Sequence, residues 1–232
     1  MARHTTVRQR SPADGEDTFV SGVLEATDWT RRHGRLIVGV VVVLVAAIAV
    51  VLYYRNWRAV VEDRAANELM TVRQIAASGN AALATRQLTQ FVSKYSGTHA
   101  GAEGRVLLGQ SLLEEGKASS AIPVLKPLAS NLDDPLGPSA ALLLGAAYES
   151  SNDIAQAEAT YMGVGEKAPF EFQRRDALED AARLKLQHND PSGAAALYQR
   201  ILGQIPDTAT GRSVYEMRLA QAQAQAEAAT RK

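Results

Sequence analysis

A run of apolar residues near the start of the chain dominates its hydrophobic pattern. Residues 36–54 (LIVGVVVVLVAAIAVVLYY) contain no charged side chain. At about 1.5 Å per residue, a helix of this length spans roughly 28 Å, close to the hydrocarbon thickness of a bilayer. The run therefore predicts one transmembrane helix. A buried core helix and a cleaved signal peptide are less favoured because the run is long, uncharged and far from the N-terminus.

Both ends of this run carry residues that are typical of a membrane interface, where aromatic rings and arginines meet the headgroups. Six arginines precede the run, whereas three (Arg55, Arg58 and Arg64) follow it closely. The excess of positive charge predicts a cytoplasmic N-terminus and a C-terminal part on the other side of the membrane. The predicted flanking residues are Trp29, Arg31, Arg32, Arg35, Tyr53, Tyr54 and Trp57.

The segment before the run divides into two parts. Residues 1–15 are polar and contain Pro and Gly, which predicts a disordered tail. In residues 16–35, Phe19, Val20, Val23 and Leu24 recur at helical spacing, which predicts a juxtamembrane amphipathic helix. A linker with a few chance apolar residues is the alternative.

The rest of the chain, residues 55–232, has an internal period. Its clearest unit is 138–171, in which a Leu-Gly pair, Tyr148, Ala157, Tyr161 and Pro169 stand at fixed spacings. These residues resemble the tetratricopeptide repeat pattern, although Ala141 stands where that pattern has its Trp. Small residues at Gly145 and Ala157 allow two helices to cross closely, and Pro169 stops the second helix.

The same register recurs along the chain and predicts an all-α, tetratricopeptide-like helical-repeat solenoid behind one N-terminal transmembrane helix. The small crossing residues Ala84, Ala121, Ala157 and Ala194 follow one another at steps of 37, 36 and 37. Another all-α arrangement is the alternative, most of all for the first repeat, whose first helix matches poorly. The predicted repeats are about 65–98, 102–135, 138–171 and 175–208, with a capping helix at 212–228. The predicted packing residues are Leu108, Gly109, Ala121, Leu144, Gly145, Tyr148, Ala157, Tyr161, Pro169, Ala194, Tyr198 and Pro206.

The amino-acid composition limits the classes of ligand and catalytic site that the chain can contain. The chain of 232 residues carries 25 basic and 25 acidic side chains and no cysteine. A balanced charge argues against nucleic-acid binding, and the lack of Cys excludes disulfides and thiol chemistry. The four histidines are scattered, without the spacing of metal ligands. The sequence therefore predicts no catalytic, cofactor or metal site and no small-molecule substrate.

The first helix of each repeat predicts a partner-binding groove, because first helices line the inner surface of such solenoids. The groove mixes apolar positions with a few charges, which favours an extended or helical protein segment held by apolar contacts. Packing of the superhelix is the alternative role for each Leu or Val. The predicted groove residues are Glu103, Val106, Gln110, Leu113, Leu142, Ala146, Glu149, Glu179, Arg183 and Leu186, with Ser139 and Asp176 beside them.

The order of a short tail, one span and a tetratricopeptide domain resembles the ancillary subunit family of the bacterial Sec translocon. The matching short motifs are residues 17–20, Trp29, the pair Gly34-Arg35, and the aromatics after the span. The resemblance implies a scaffold in the bacterial inner membrane, with a periplasmic repeat domain that assists exported proteins and their chaperones at the translocon. An adaptor for envelope assembly or cell division is the alternative function.

Overall fold

The computed structural model describes residues 13–77, 80–208 and 211–231, and it describes side chains from residue 33 onward except at residue 37. The described residues contain helices and no strand, so the predicted all-α class is confirmed. The chain forms two compact units, residues 1–59 and 60–232. The helices are α1 (Ala13–Ala77), α2 (Ala81–Lys94), α3 (His99–Glu114), α4 (Ala118–Ala129), α5 (Gly137–Ser150), α6 (Ile154–Lys167), α7 (Glu171–Gln187), α8 (Pro191–Gln204) and α9 (Arg212–Thr230).

The first unit consists of the N-terminal part of α1. The predicted juxtamembrane helix and the apolar run lie in this one continuous helix rather than in two elements. The described side chains of the run are exposed, for example Val43 at 68%. Part of α1 is therefore long and apolar enough to cross a membrane, by length and composition. Most of the predicted tail, and the side chains of Trp29, Arg31 and Arg32, lie outside the described residues.

The second unit is a succession of antiparallel helix pairs. The end of α1 shares an apolar core with α2, and its Glu68 accepts hydrogen bonds from Lys94 and Tyr95. The pairs of α3 with α4, α5 with α6, and α7 with α8 follow. From α2 onward, each helix also packs against the next along the chain, and the first helix α5 contacts both α3 and α7. α9 packs on α8. One continuous apolar core runs through the pairs, from Ala65 in α1 to Ala222 in α9.

The turn inside each of the last three pairs is built in the same way. Its left-handed residue is Gly116, Asn152 or Asn189, with φ near 72°, 60° and 60°. Gly and Asn are the residue types that adopt this conformation at least cost. Asp153 and Asp190 follow directly and accept backbone N–H bonds from Gln156 and Gly193. These N-caps start α6 and α8 at equivalent positions.

The helices of a pair approach closely where the first helix carries glycine. A Cβ at Gly145 would overlap the ring of Tyr161, and a Cβ at Gly109 would overlap the side chain of Leu125. Tyr161 is 1% exposed and Leu125 is fully buried. The side chain of the second helix therefore fills the volume that the first helix leaves empty, as close packing requires.

Candidate protein-binding surfaces

The predicted groove residues lie on one face of the first helices α3, α5 and α7, which we call the first-helix face. Gln110 is exposed and the other nine are half-buried. The charged residues among them form ion pairs, whereas the apolar ones remain partly exposed to solvent.

The charged residues of the first-helix face form ion pairs with one another or with arginines of α1 and α9. Arg73 of α1 donates to Glu103 of α3 at 2.8 Å. Arg183 of α7 donates to both carboxylate oxygens of Glu149 of α5, at 2.6 and 2.9 Å. Ion pairs thus join α1 to α3, α5 to α7, and α7 to α9. We call them the inter-repeat pairs: Arg73–Glu103, Glu149–Arg183 and Glu179–Arg218.

The surroundings favour the charged form of Glu149 and Glu179, but not that of the neighbouring Asp180. The hydrogen bonds from Arg183 hold the pKa of Glu149 below its usual value, against the opposing effect of burial. Burial works to raise the pKa of Glu179, but the hydrogen bonds from Arg218 and Tyr215 outweigh it and the pKa is lowered. Burial raises the pKa of Asp180, which also accepts a bond from Arg183 at 3.2 Å. The charged positions at this end of the face therefore bind each other.

Three of the apolar residues of the face lie on the adjacent helices α3 and α5. Val106, Leu113 and Leu142 each have one side against the core and the other in solvent. None of the inter-repeat pairs joins α3 to α5. Gln110 also lines a cavity of about 240 Å³ between α1, α2 and α3. The described geometry therefore leaves an apolar strip between two charged steps.

A second concavity lies on another face of α5, and sequence analysis did not find it. This cavity of about 290 Å³, the second-helix cavity, lies between α4, α5 and α6. Ala129, Ala141, Ala159 and Gly163 form much of its wall, so it exists because these side chains are small. Small residues are also typical of close helix crossings, and their pattern in a sequence does not separate a filled crossing from an open one.

The second-helix cavity has a polar rim and one aromatic wall. Lys126, Ser130, Gln156 and Thr160 supply its polar groups, and none of its lining residues is acidic. Tyr148 is 9% exposed and lines the cavity. Within the described residues, its hydroxyl has no hydrogen-bond partner and Lys126 makes no ion pair. The cavity thus offers apolar contact area with a cation at its edge.

The predicted packing residues occupy the core of the second unit, apart from two prolines. Leu108, Gly109, Ala121, Leu144, Gly145, Tyr148, Ala157, Tyr161, Ala194 and Tyr198 are buried. Pro169 and Pro206 are exposed, two residues after the ends of α6 and α8. Next to Pro169, the rings of Phe170 and Phe172 stack 5.8 Å apart and are more than half exposed.

The described residues contain no group of three or more His, Asp or Glu side chains that could hold a metal ion. The ionisable side chains that do meet form the inter-repeat pairs, helix caps and further ion pairs such as Lys94–Glu68 and Lys185–Glu158. The described surfaces can bind other molecules.

Comparison with known proteins agrees with this architecture. Two crystal structures of nearly identical TPR-like repeats assigned to a kinesin light chain of Podosopora anserina, one of them a single-substitution variant, share the fold. Each is 14% identical, has a TM-score of 0.57, and aligns over 72% of this chain and 88% of its own. No curated protein sequence matches.

A family model provides the stronger evidence. The model described as a tetratricopeptide repeat-like domain matches residues 27–160, more than half of the chain. Repeats of this kind typically serve as protein-interaction scaffolds rather than as enzymes. The match, together with the helix pairs and their small crossing residues, shows that this chain belongs to the tetratricopeptide repeat-like domain family.

Proposed function

We propose that this protein is a membrane-anchored interaction scaffold whose first-helix face binds a partner protein through apolar contacts. The proposal rests on the presence of an apolar helical run and a repeat array in one chain. A helix with an uncharged, exposed apolar run precedes an array of repeats that typically bind proteins. An exposed run of that length is costly in water and stable in lipid.

The apolar strip around α3 and α5 is the part of the first-helix face that the proposal assigns to the partner. The charged positions on either side are already engaged in the inter-repeat pairs Arg73–Glu103 and Glu149–Arg183. Val106, Leu113 and Leu142 keep part of their apolar area in solvent. A partner helix or extended segment would cover this area, and burial of apolar area supplies the affinity.

The specific role that we propose is that of an ancillary subunit of the bacterial Sec translocon. The anchor crosses the inner membrane with its N-terminus in the cytoplasm, and the repeats hold exported chains or their chaperones on the periplasmic side. Two sequence features support this role: the excess of arginines before the apolar run and the short motifs that resemble the ancillary-subunit family.

Photo-crosslinking from membranes tests both levels of the proposal. A photoreactive residue at Leu113 of the full chain is expected to capture translocon subunits or periplasmic chaperones, while one at the exposed Gln199 of α8 serves as control. Capture of equal amounts from both positions contradicts binding at the first-helix face. Capture of division-site or envelope-assembly proteins instead favours the alternative adaptor function.

Protease treatment of intact spheroplasts tests the orientation independently. External protease is expected to digest the repeats and leave the N-terminal tail protected. Protection of the repeats, with digestion only after lysis, would place them in the cytoplasm and exclude a role at the translocon exit.

A further inference from the structure

The second-helix cavity is separate from the first-helix face. On α5, it is lined by Ala141, Leu144 and Tyr148, whereas the first-helix face carries Leu142, Ala146 and Glu149. At 100° per residue these two sets lie on different sides of the helix. The cavity therefore can be occupied without displacing a partner on the first-helix face.

The size of the cavity fits apolar side chains rather than a large cofactor. Its volume of about 290 Å³ is at the low end of small-molecule pockets. Ala129, Ala141, Leu144 and Val164 give its wall an aliphatic surface. One or two large side chains, such as Leu or Phe, fill a space of this size and remove that surface from water.

Its charge selects the partner. Lys126 is the one ionisable group with a full charge in the lining, and no acid lines the cavity to neutralise it. The hydroxyl of Tyr148 supplies a further polar group that lacks a partner within the described residues. A segment that enters with a carboxylate near Lys126 is therefore favoured, and one with a basic group there is disfavoured.

We propose that the second-helix cavity is a second docking site, which binds a partner-protein segment carrying one or two large apolar side chains next to an acidic residue. The apolar side chains enter between α4 and α6. The acidic residue remains at the rim, where it meets the ammonium group of Lys126. This site does not depend on the proposed function of the first-helix face.

Gly163 gives a direct means of closing the cavity. It lines the cavity, and a Cβ built on it meets no atom within 4 Å. Gly163→Leu thus fills the cavity from inside, and the gain in helix propensity keeps the melting temperature equal or higher. Gly203→Leu is the matched control, because Gly203 also lies in a helix with open space but does not line the cavity. Ala159→Leu closes the cavity from a second position.

The experiment measures capture of the full chain, in lipid nanodiscs, on arrays of short peptides in three pools. The first pool has large apolar residues in the centre and Asp or Glu in the flanks. The second has the same centres with Lys or Arg flanks, and the third has Ser or Asn centres with acidic flanks. We expect the first pool to bind at least about tenfold better than the third.

The variants decide whether this binding occurs in the cavity. Gly163→Leu and Ala159→Leu are expected to lower capture of the first pool about tenfold, while Gly203→Leu leaves it unchanged. Lys126→Glu is expected to weaken the first pool about twofold to fivefold and to improve the second. Lys167→Glu, in the last turn of α6 and outside the cavity, is the charge control.

Two results would overturn the proposal: equal capture of the first and third pools, or unchanged capture by both cavity-filling variants. If no photo-crosslinks form at Leu113 but the peptides bind as expected, only the proposal for the first-helix face is contradicted. The failures of the two proposals are therefore distinguishable.

Discussion

Arg183 and Glu149 join two successive repeats by a two-pronged ion pair, with both terminal guanidinium nitrogens of Arg183 facing the two carboxylate oxygens of Glu149 at 2.6 and 2.9 Å. Tyr161 of the same repeat as Glu149 donates to the same carboxylate at 3.3 Å. The pair therefore connects the core of one repeat to the first helix of the next.

Arg183→Met is expected to destabilise the repeat domain by about 1 kcal/mol at neutral pH, a modest value because the Arg183 side chain is partly in solvent. Chemical denaturation of the full chain in nanodiscs measures it. Arg200→Met, at an exposed arginine of α8, is the control and is expected to change stability by a few tenths of a kcal/mol.

The same pair predicts a pH dependence. Because Arg183 lowers the folded-state pKa of Glu149 below the usual 4.5, the stabilisation is present above that value and is lost as the pH falls through the folded-state pKa. Arg183→Met and wild type should therefore converge in stability in acid. A difference that stays constant down to pH values below about 3 would contradict the assignment.

Gly145→Ala is expected to destabilise the protein by about 2 kcal/mol, although alanine has the higher helix propensity, because the new methyl group overlaps the ring of Tyr161. Thermal melting provides the measurement. Gly203→Ala, with open space around the new methyl, is expected to stabilise by about 0.5 kcal/mol. If both variants shift stability in the same direction, close packing at Gly145 is not the reason for the glycine.

Tyr215→Phe is expected to reduce the loss of stability in alkali. Burial and the hydrogen bond to Glu179 raise the pKa of Tyr215 to about 12. The unfolded chain loses the phenol proton near pH 10, so this contribution is present below pH 10 and is lost between pH 10 and about 12. The melting temperature of wild type should fall more steeply in that range than that of the variant. Equal slopes would contradict the prediction.

Asp190→Ala is expected to cost about 1 kcal/mol, because Asp190 accepts the backbone N–H of Gly193 at 2.8 Å and caps α8. The backbone bond from Gly193, with the side chain of Lys185, lowers the pKa of Asp190. Asp190→Asn keeps an acceptor for the cap and should cost less. Unfolding at neutral pH ranks the two variants, and an equal loss in both would show that the charge and not the cap is responsible.

The repeat architecture could be predicted because close helix crossings restrict residue size. Gly145, Ala157 and Ala194 are small for a local reason, and their spacing follows from the length of one helix pair. The left-handed turn residues Asn152 and Asn189 stand at equivalent positions for a similar reason. These restrictions on residue size and type act between residues of the same repeat. They therefore recur with the repeat and can be recognised in a single sequence.

The partners of the charged groups could not be predicted in the same way. Glu149 and Arg183 are 34 residues apart, and the rotation between successive repeats decides whether they meet. Sequence analysis assigned both to the partner groove, whereas the structure pairs them with each other. The second-helix cavity was missed because it results from side chains that are absent, at Gly163 and its neighbours.

The ring of Tyr161 leaves no room for a Cβ at Gly145, and this sets a rule for how such repeats change over evolutionary time. Gly109 and Leu125 stand at the same offset along the chain as Gly145 and Tyr161, and Ala182 and Tyr198 share it in the last repeat. In the two pairs that contain glycine, one fixed volume is divided between two helices. A related sequence can enlarge one member only by reducing the other, so these positions should covary in size even where no residue is kept.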